Sequence, residues 1–290
     1  MPARRFMAMS LLSFLLLFPA KSVVLADELP LDGPRLSEGY IEHMIPIEAG
    51  ELCCVQRPGS GPTLMLIPGT FSDSRVWRKL IPHLDSDLNL LLVENRGLGK
   101  SHPKPGPDAT IERCGQDTIR IADHLHVEKF FIGGHSLGGM IAIEVAGAAP
   151  ERLLGVISLE GWTKAQAARD AFGSDMKSTL SPAEQEESVR YRADTLKEWT
   201  KEEEKAFATL WRKWDGSDIL KSTSLPILEL YGTRDNPPAT REQLYIPQRE
   251  NIELIWIPHA AHKVHIEEPG RVGGLINEFT TKHRGQASGK

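Results

Sequence analysis

The sequence predicts an α/β fold in which a doubly wound, mostly parallel β-sheet carries an inserted helical cap. Short apolar runs typical of strands alternate with helical segments from about residue 52 to residue 282. Residues 88–94 are almost continuously apolar, as expected of a strand that is buried on both faces of a sheet. One long helical segment, about 161–222, interrupts the alternation.

Seven segments are predicted to be strands because they are short, apolar and mostly bounded by turn-forming or polar residues. They are 52–56, 63–67, 88–94, 129–133, 153–159, 226–231 and 252–257. Helices are predicted at 117–124, at 137–149 before Pro150, and from Pro269 onward, where apolar residues recur on one helical face.

The segment 161–222 is predicted to be a helical cap, because it contains charged helical sequence and no strand-like run. Two capping boxes lie within it, Ser181 with Glu184 and Thr200 with Glu203. Since the segment lies between two predicted strands, we expect it to cover one edge of the sheet.

The first 26 residues have the pattern of a secretory signal peptide. Arg4 and Arg5 precede an apolar run over 6–20, and small residues at 24–26 suit a signal peptidase. The prediction is therefore a secreted or periplasmic protein. An uncleaved N-terminal anchor is the alternative interpretation.

Cleavage leaves a folded domain at 27–282, including the cap, and a tail at 283–290 that is predicted to be disordered. Loss of three basic residues changes the formal net charge from −5 to −8. An acidic domain without a basic stripe argues against nucleic acid as a partner. No later apolar run is long enough to span a membrane, so no stable membrane span is expected after processing.

Three cysteines leave two interpretations open. In an exported protein Cys114 can pair with Cys53 or Cys54, or all three can be buried thiols. No cysteine–histidine spacing indicates a metal site, and neither a metal nor an organic cofactor is expected.

The strongest motif is Gly134-His-Ser-Leu-Gly138, which has the form G-x-S-x-G. A predicted strand precedes it and a predicted helix follows it. Glycines permit the tight turn that lifts the Ser136 hydroxyl above the sheet, so Ser136 is the predicted nucleophile.

A serine nucleophile needs a histidine base that is oriented by a carboxylate. His262 follows the last predicted strand and is the predicted base, with His259 and His265 as rivals. Asp235 follows the penultimate strand and is the predicted carboxylate, in the chain order of this motif class. Glu160, at the end of the strand 153–159, is the alternative.

The negative oxygen that forms in acyl transfer needs backbone N–H donors. Leu137 at the helix start and Thr70 in the loop after 63–67 are the predicted oxyanion-hole residues. The predicted substrate contacts are Phe71, His135 and Trp162.

Taken in order, these segments resemble the α/β-hydrolase superfamily over about residues 40–282. The segments that carry the resemblance are LIPGTFSDSRVW (66–77), ENRGLGKS (94–101), GGHSLGG (133–139), PER (150–152), LYGTRD (230–235) and HAAHKVHIEEP (259–269). The resemblance implies a triad of Ser136, Asp235 and His262, with Thr70 and Leu137 as oxyanion donors. The usual His-Gly of the family is here Pro68-Gly69, which keeps the backbone donor.

A serine nucleophile predicts hydrolysis of a small-molecule carboxylic ester or related acyl bond through an acyl-enzyme. It argues against epoxide and carbon–halogen cleavage, in which relatives use an aspartate. A carbon–carbon hydrolase, a perhydrolase and a non-catalytic, receptor-like binder remain alternatives. The sequence leaves the oligomeric state open.

Overall fold

The computed structural model describes residues 39–106, 109–173 and 178–285. The predicted signal peptide, 1–26, lies outside the described residues, as do residues 286–290 of the predicted tail. Within the described residues the predicted α/β fold class is confirmed, since helices cover a single eight-stranded, mostly parallel sheet.

The eight strands include all seven predicted segments. They are β1 (Ile41–Ile47), β2 (Gly50–Arg57), β3 (Thr63–Ile67), β4 (Asn89–Val93), β5 (Phe130–His135), β6 (Leu153–Leu159), β7 (Ile227–Gly232) and β8 (Ile252–Ile257).

The helices of the described residues lie between and after these strands. They are α1 (Ile111–His124), α2 (Leu137–Ala148), α3 (Ala165–Phe172), α4 (Pro182–Thr195), α5 (Lys201–Phe207), α6 (Ser217–Ser222), α7 (Arg241–Leu244), α8 (Val264–Glu267) and α9 (Pro269–His283).

The sheet has the strand order β1-β2-β4-β3-β5-β6-β7-β8. Strands β3 to β8 run parallel to one another, while β2 pairs antiparallel with both β1 and β4. The carboxyl ends of the parallel strands therefore meet at one edge of the sheet, which is where an open α/β sheet places its ligands.

Two elements differ from the prediction. Strand β1 was not predicted, and only Ile45 within it is fully buried, so it has no continuous apolar run to mark it. Helix α1 begins six residues earlier than predicted, because the Thr110 side chain accepts a hydrogen bond from the Arg113 N–H and Ile111 is buried.

The described residues between β6 and β7 form helices α3 to α6 and a short 3-10 helix, with no strand among them. Both predicted capping boxes are present, at the start of α4 and of α5. In each, the Ser or Thr side chain accepts from the backbone of the Glu three residues later, whose side chain accepts in return.

Cys53, Cys54 and Cys114 form no disulfide among the described residues. Cys53 and Cys54 are buried on adjacent positions of β2, and burial raises the pKa of the Cys114 thiol to about 12. The structure therefore supports the interpretation in which the cysteines are thiols, and not the one in which Cys114 forms a disulfide. Within the described ranges no helix combines the length and apolar character that a membrane crossing requires.

One ionisable side chain, Glu229, lies in the middle of the core. It is fully buried on β7, and neither carboxylate oxygen has a hydrogen-bond partner of normal geometry among the described residues. Burial raises the pKa of Glu229 to about 8, although the Ser158 hydroxyl and the charge of Arg241 oppose the shift. The carboxyl group is therefore neutral in the folded protein below that pH.

This raised pKa predicts a pH-dependent stability. The unfolded chain ionises Glu229 near pH 4.5, so the stabilising effect of the protonated group is complete below that pH and is lost as the pH rises towards 8. Glu229→Gln should remove this loss. Its free energy of unfolding should exceed that of the wild type by about 1 kcal/mol or more at pH 8, but by much less at pH 5. Urea unfolding of both proteins at the two pH values measures the difference, and an equal difference at both would contradict it.

Candidate active site

Ser136 lies on the turn between β5 and α2, at the carboxyl edge of the sheet. Its backbone has φ 54° and ψ −116°, a conformation that a residue other than glycine adopts only under constraint. The Ser136 N–H donates to the Leu159 carbonyl at 2.9 Å, which holds the turn against β6.

The glycines on either side of Ser136 are required by close contacts. A Cβ atom at Gly134 would lie 2.2 Å from the Gly138 carbonyl carbon, and one at Gly138 would lie 2.0 Å from the Ile67 carbonyl oxygen. No side chain fits in either place, so both glycines of the motif serve the turn that presents Ser136.

The carboxylate that contacts His262 is Glu160, which directly follows β6. Its Oε2 lies 3.1 Å from Nδ1 of His262. The Glu160 side chain is fully buried and also accepts two hydrogen bonds from Arg234, at 2.9 and 2.6 Å, and one from the Gly232 N–H at 2.7 Å.

These partners keep Glu160 ionised in the interior. Burial by itself raises the pKa of a carboxyl group, but the hydrogen bonds from His262 and Arg234 outweigh it and hold the pKa of Glu160 below its usual value. An anion at Nδ1 fixes the ring tautomer in which Nε2 is free to accept a proton.

The expectation that Asp235 orients His262 is not met by the geometry. Asp235 Oδ1 lies 3.0 Å from Nδ1 of His259, and the two side chains are 63% and 81% exposed. Arg234 and Asp235 both have positive φ, 53° and 56°. The sharp turn buries the Arg234 side chain and leaves that of Asp235 in solvent.

The two rival histidines occupy different environments. His259 is the exposed partner of Asp235, whereas His265 is fully buried and neither of its ring nitrogens has a hydrogen-bond partner among the described residues. The His265 ring lies 4.3 Å from that of His135 and 4.9 Å from that of Trp77. Burial lowers the pKa of His265 to about 3, and the neighbouring charges add to this effect.

Both predicted oxyanion donors lie beside Ser136. Thr70, Leu137 and Ser136 line one cavity of about 290 Å³, which His262 lines as well. Among the described residues no group accepts a hydrogen bond from the backbone N–H of Thr70 or of Leu137. The backbone at Gly69 passes close to His135, where a Cβ atom would lie 2.8 Å from Nδ1.

Ser136 and His262 are not hydrogen-bonded to each other, although both line this cavity. The His262 ring instead packs on Trp162, with the centroids 5.3 Å apart and the planes 30° apart. Contacts between a nucleophile and its base are often long before substrate binds.

The predicted substrate contacts Phe71, His135 and Trp162 all line the cavity. Trp211 of the cap lines it too, while Trp199 packs on Phe71 with ring centroids 6.1 Å apart. The Nε2 atom of His135 lies 2.7 Å from the His262 carbonyl oxygen, so His135 also supports the loop that carries His262.

Helix α4 of the cap is attached to the chain segment that follows Thr70. The contacts of one helix face with this segment are Glu184–Lys79, Glu187–Arg78, Tyr191–Asp73, Asp194–Arg75 and Thr195–Phe71 carbonyl. The Tyr191 hydroxyl accepts from the Asp73 N–H at 2.8 Å inside the protein. The cap therefore holds the loop that carries Thr70, one of the two predicted oxyanion donors.

Sequence reasoning ranked Glu160 second and did not assign a role to Arg234. The sequence contained a signal for both residues, because Glu160 and Arg234 closely follow adjacent parallel strands, β6 and β7. No group of three or more His, Cys, Asp or Glu side chains within the described ranges is arranged to hold a metal ion.

Comparison with known proteins agrees with this architecture. The family model for the α/β hydrolase fold matches residues 62–180. A protein of Rhizobium rhizogenes that carries the name carbamate hydrolase RutD is 26% identical over 242 residues, which span 75% of this chain and 92% of that protein. The RutD protein of Azorhizobium caulinodans is 33% identical over 107 residues, and there the alignment spans only 40% of the relative.

Two further proteins extend the comparison. The 3-oxoadipate enol-lactonase 1 of Acinetobacter baylyi is 23% identical, over 81% of this chain and 96% of that protein. The structure of a thermophilic esterase from Thermogutta terrifontis superposes with a TM-score of 0.67 at 23% identity, over 84% of this chain and 99% of that one. This chain therefore has the α/β-hydrolase fold, and its similarity to these proteins supports a hydrolase.

Proposed function

We propose that this protein is a serine hydrolase that cleaves a carboxylic ester, lactone or related acyl bond of a small molecule. Ser136 is the nucleophile, His262 the general base and Glu160 the carboxylate that orients it. The observation that carries the proposal is the buried Glu160–His262 pair beside a cavity that also contains a constrained serine. The names of the relatives, a carbamate hydrolase and an enol-lactonase, fit acyl-bond cleavage.

The first half of the reaction forms an ester on Ser136. Nε2 of His262 removes the hydroxyl proton as Oγ attacks the carbonyl carbon, and Glu160 stabilises the imidazolium. The N–H groups of Thr70 and Leu137 donate to the carbonyl oxygen as it becomes negative. His262 then protonates the leaving alcohol, and the carbon–oxygen bond to it breaks.

The second half releases the acyl group. His262 removes a proton from a water molecule, whose oxygen attacks the carbonyl carbon of the acyl-enzyme. The bond to Ser136 Oγ breaks, the serine regains its proton from His262, and a carboxylic acid leaves. A serine at this position does not support the epoxide chemistry of aspartate-dependent relatives.

The proposal predicts that hydrolysis depends on the Ser136 hydroxyl. Ser136→Ala should lower kcat for para-nitrophenyl esters of short acyl chains by about a thousandfold or more. A fluorophosphonate probe should label the wild type, and peptide mapping should locate the label at Ser136. Equal rates for the two proteins, or a label elsewhere, would falsify the assignment.

The orienting role is tested by a matched pair of variants. Glu160→Gln should lower kcat by about a hundredfold or more, because the ring loses the anion that holds its tautomer, while Asp235→Asn should stay within about threefold of the wild type. Glu160→Asp keeps the negative charge and serves as the conservative control for the loss of kcat. Circular dichroism shows whether each variant is folded. If Asp235→Asn shows the larger loss, the orienting residue is Asp235.

We infer further that residues 1–26 direct export and that the mature protein is secreted or periplasmic. The basic start, the apolar run and the small residues at 24–26 support this. Mass spectrometry of the full chain expressed in a bacterial host should find an exported form that begins at Asp27. Recovery of only the intact N-terminus in the membrane fraction would favour an anchor instead.

A further inference from the structure

The side chains on the cavity wall carry more positive than negative charge. Five charged residues line the cavity: Arg78, Glu184, Glu187, Arg192 and Lys263. Both carboxylates have a cationic partner, since Glu187 pairs with Arg78 and Glu184 accepts from Lys79 at 2.7 Å. Arg192 and Lys263 are left without a carboxylate within 4.0 Å among the described residues.

These two cations line the same cavity as Ser136 and His262. The Arg192 guanidinium, at the exposed mouth of the cavity, lies 4.4 Å from the centroid of the Phe71 ring, which follows the oxyanion donor Thr70. Lys263 follows His262 in the chain, and its Nζ contacts the Ser188 hydroxyl on α4. The cavity therefore has positive charge beside both halves of the catalytic machinery.

Arg192 and Lys263 lie on neighbouring parts of the wall, because Lys263 contacts Ser188, which is four residues before Arg192 on α4. Burial lowers the pKa of Lys263, the Glu267 carboxylate opposes this effect, and the charge of Arg192 adds to it. Glu267 is not in direct contact with Lys263. Its carboxylate oxygens accept instead from the Ala261 N–H at 2.7 Å, the Thr179 N–H at 3.3 Å and the Ser178 hydroxyl at 3.4 Å. Two cations on one cavity wall, neither in contact with a carboxylate among the described residues, favour an anion as the ligand.

One buried polar atom of a lining residue also favours an acceptor. The indole Nε1 of Trp162 is buried without a partner among the described residues, and an indole N–H can only donate. Part of the wall is apolar and includes Val76, Met140, Leu180 and Ile266. A ligand that satisfies this wall has an acidic end and a short apolar segment.

We propose that the substrate carries a free carboxylate, separated by a short apolar segment from the scissile acyl bond, and that Arg192 and Lys263 bind this carboxylate. The inference rests on the proposed function, since it assigns the substrate class of the same site. The guanidinium and ammonium groups donate charge-assisted hydrogen bonds, which are stronger than neutral ones. Neutral esters of the same length leave both cations unpaired and should be poorer substrates.

The test compares two matched pairs of esters. The first pair is para-nitrophenyl hydrogen adipate and its methyl ester, which place the carboxylate, or its neutral form, on the acyl side. The second pair is para-butyryloxybenzoate and its methyl ester, which place it on the leaving group. The wild type should prefer the carboxylate in at least one pair by about tenfold in kcat/KM, equivalent to about 1.4 kcal/mol, mainly through KM.

The variants assign the preference to the two cations. Arg192→Gln with Lys263→Gln should reduce the preference to about twofold or less, whereas Arg192→Lys with Lys263→Arg should retain most of it. Lys197→Gln is the matched control, because Lys197 lies on the same cap segment, pairs with Asp194 and does not line the cavity. Its preference should equal that of the wild type.

Binding without turnover provides an independent measurement. Calorimetric titration of Ser136→Ala with each adipate ester should give a Kd at least about tenfold lower for the carboxylate, and the difference should shrink in high salt. Ser136-dependent hydrolysis of the neutral esters with no preference in either pair overturns the inference and leaves the hydrolase intact. A preference that survives removal of both cations overturns it too, while absence of any Ser136-dependent hydrolysis overturns both proposals.

Discussion

The site depends on one ionised carboxylate that is kept inside the protein. Glu160 is fully buried, and an isolated charge in that position would be neutralised or excluded. It remains an anion because Arg234, the Gly232 N–H and His262 together provide donors for both of its oxygens. Removing one partner of such a buried pair typically costs about 3–5 kcal/mol, so the network constrains both strand ends at once.

That network determines how the carboxyl edge of the sheet is arranged. Glu160 follows β6 and Arg234 follows β7. The salt bridge between them joins the two loops, and Glu160 also contacts His262. On the next strand, the Ser136 turn is held by hydrogen bonding to β6 and by glycines that no other residue can replace without a clash. The ends of β5, β6 and β7 thus position Ser136, Glu160 and Arg234, and a site built on strands is held more precisely than one built on loops.

The cap contributes to both the reaction centre and the binding wall. Helix α4 uses one face to hold the loop with Thr70, and it also carries Arg192 and Ser188 at the cavity. The same helix thus contacts the loop that follows Thr70 and places a cation on the cavity wall. Under the proposed function, one helix therefore links the substrate-binding wall to the loop of a proposed oxyanion donor.

The sequence alone determined the elements whose signals are local. Apolar runs predicted seven of the eight strands that the described residues form. The motif G-x-S-x-G predicted that Ser136 lies on a strand-to-helix turn. Each of these features depends on residues that are close together in the sequence. Tertiary structure decided which carboxylate contacts His262. Glu160 and Asp235 both follow strands beside the site, and only the backbone turn at Arg234 places one inside and the other in solvent. That choice depends on the pairing of distant buried charges, which no local pattern of residues records.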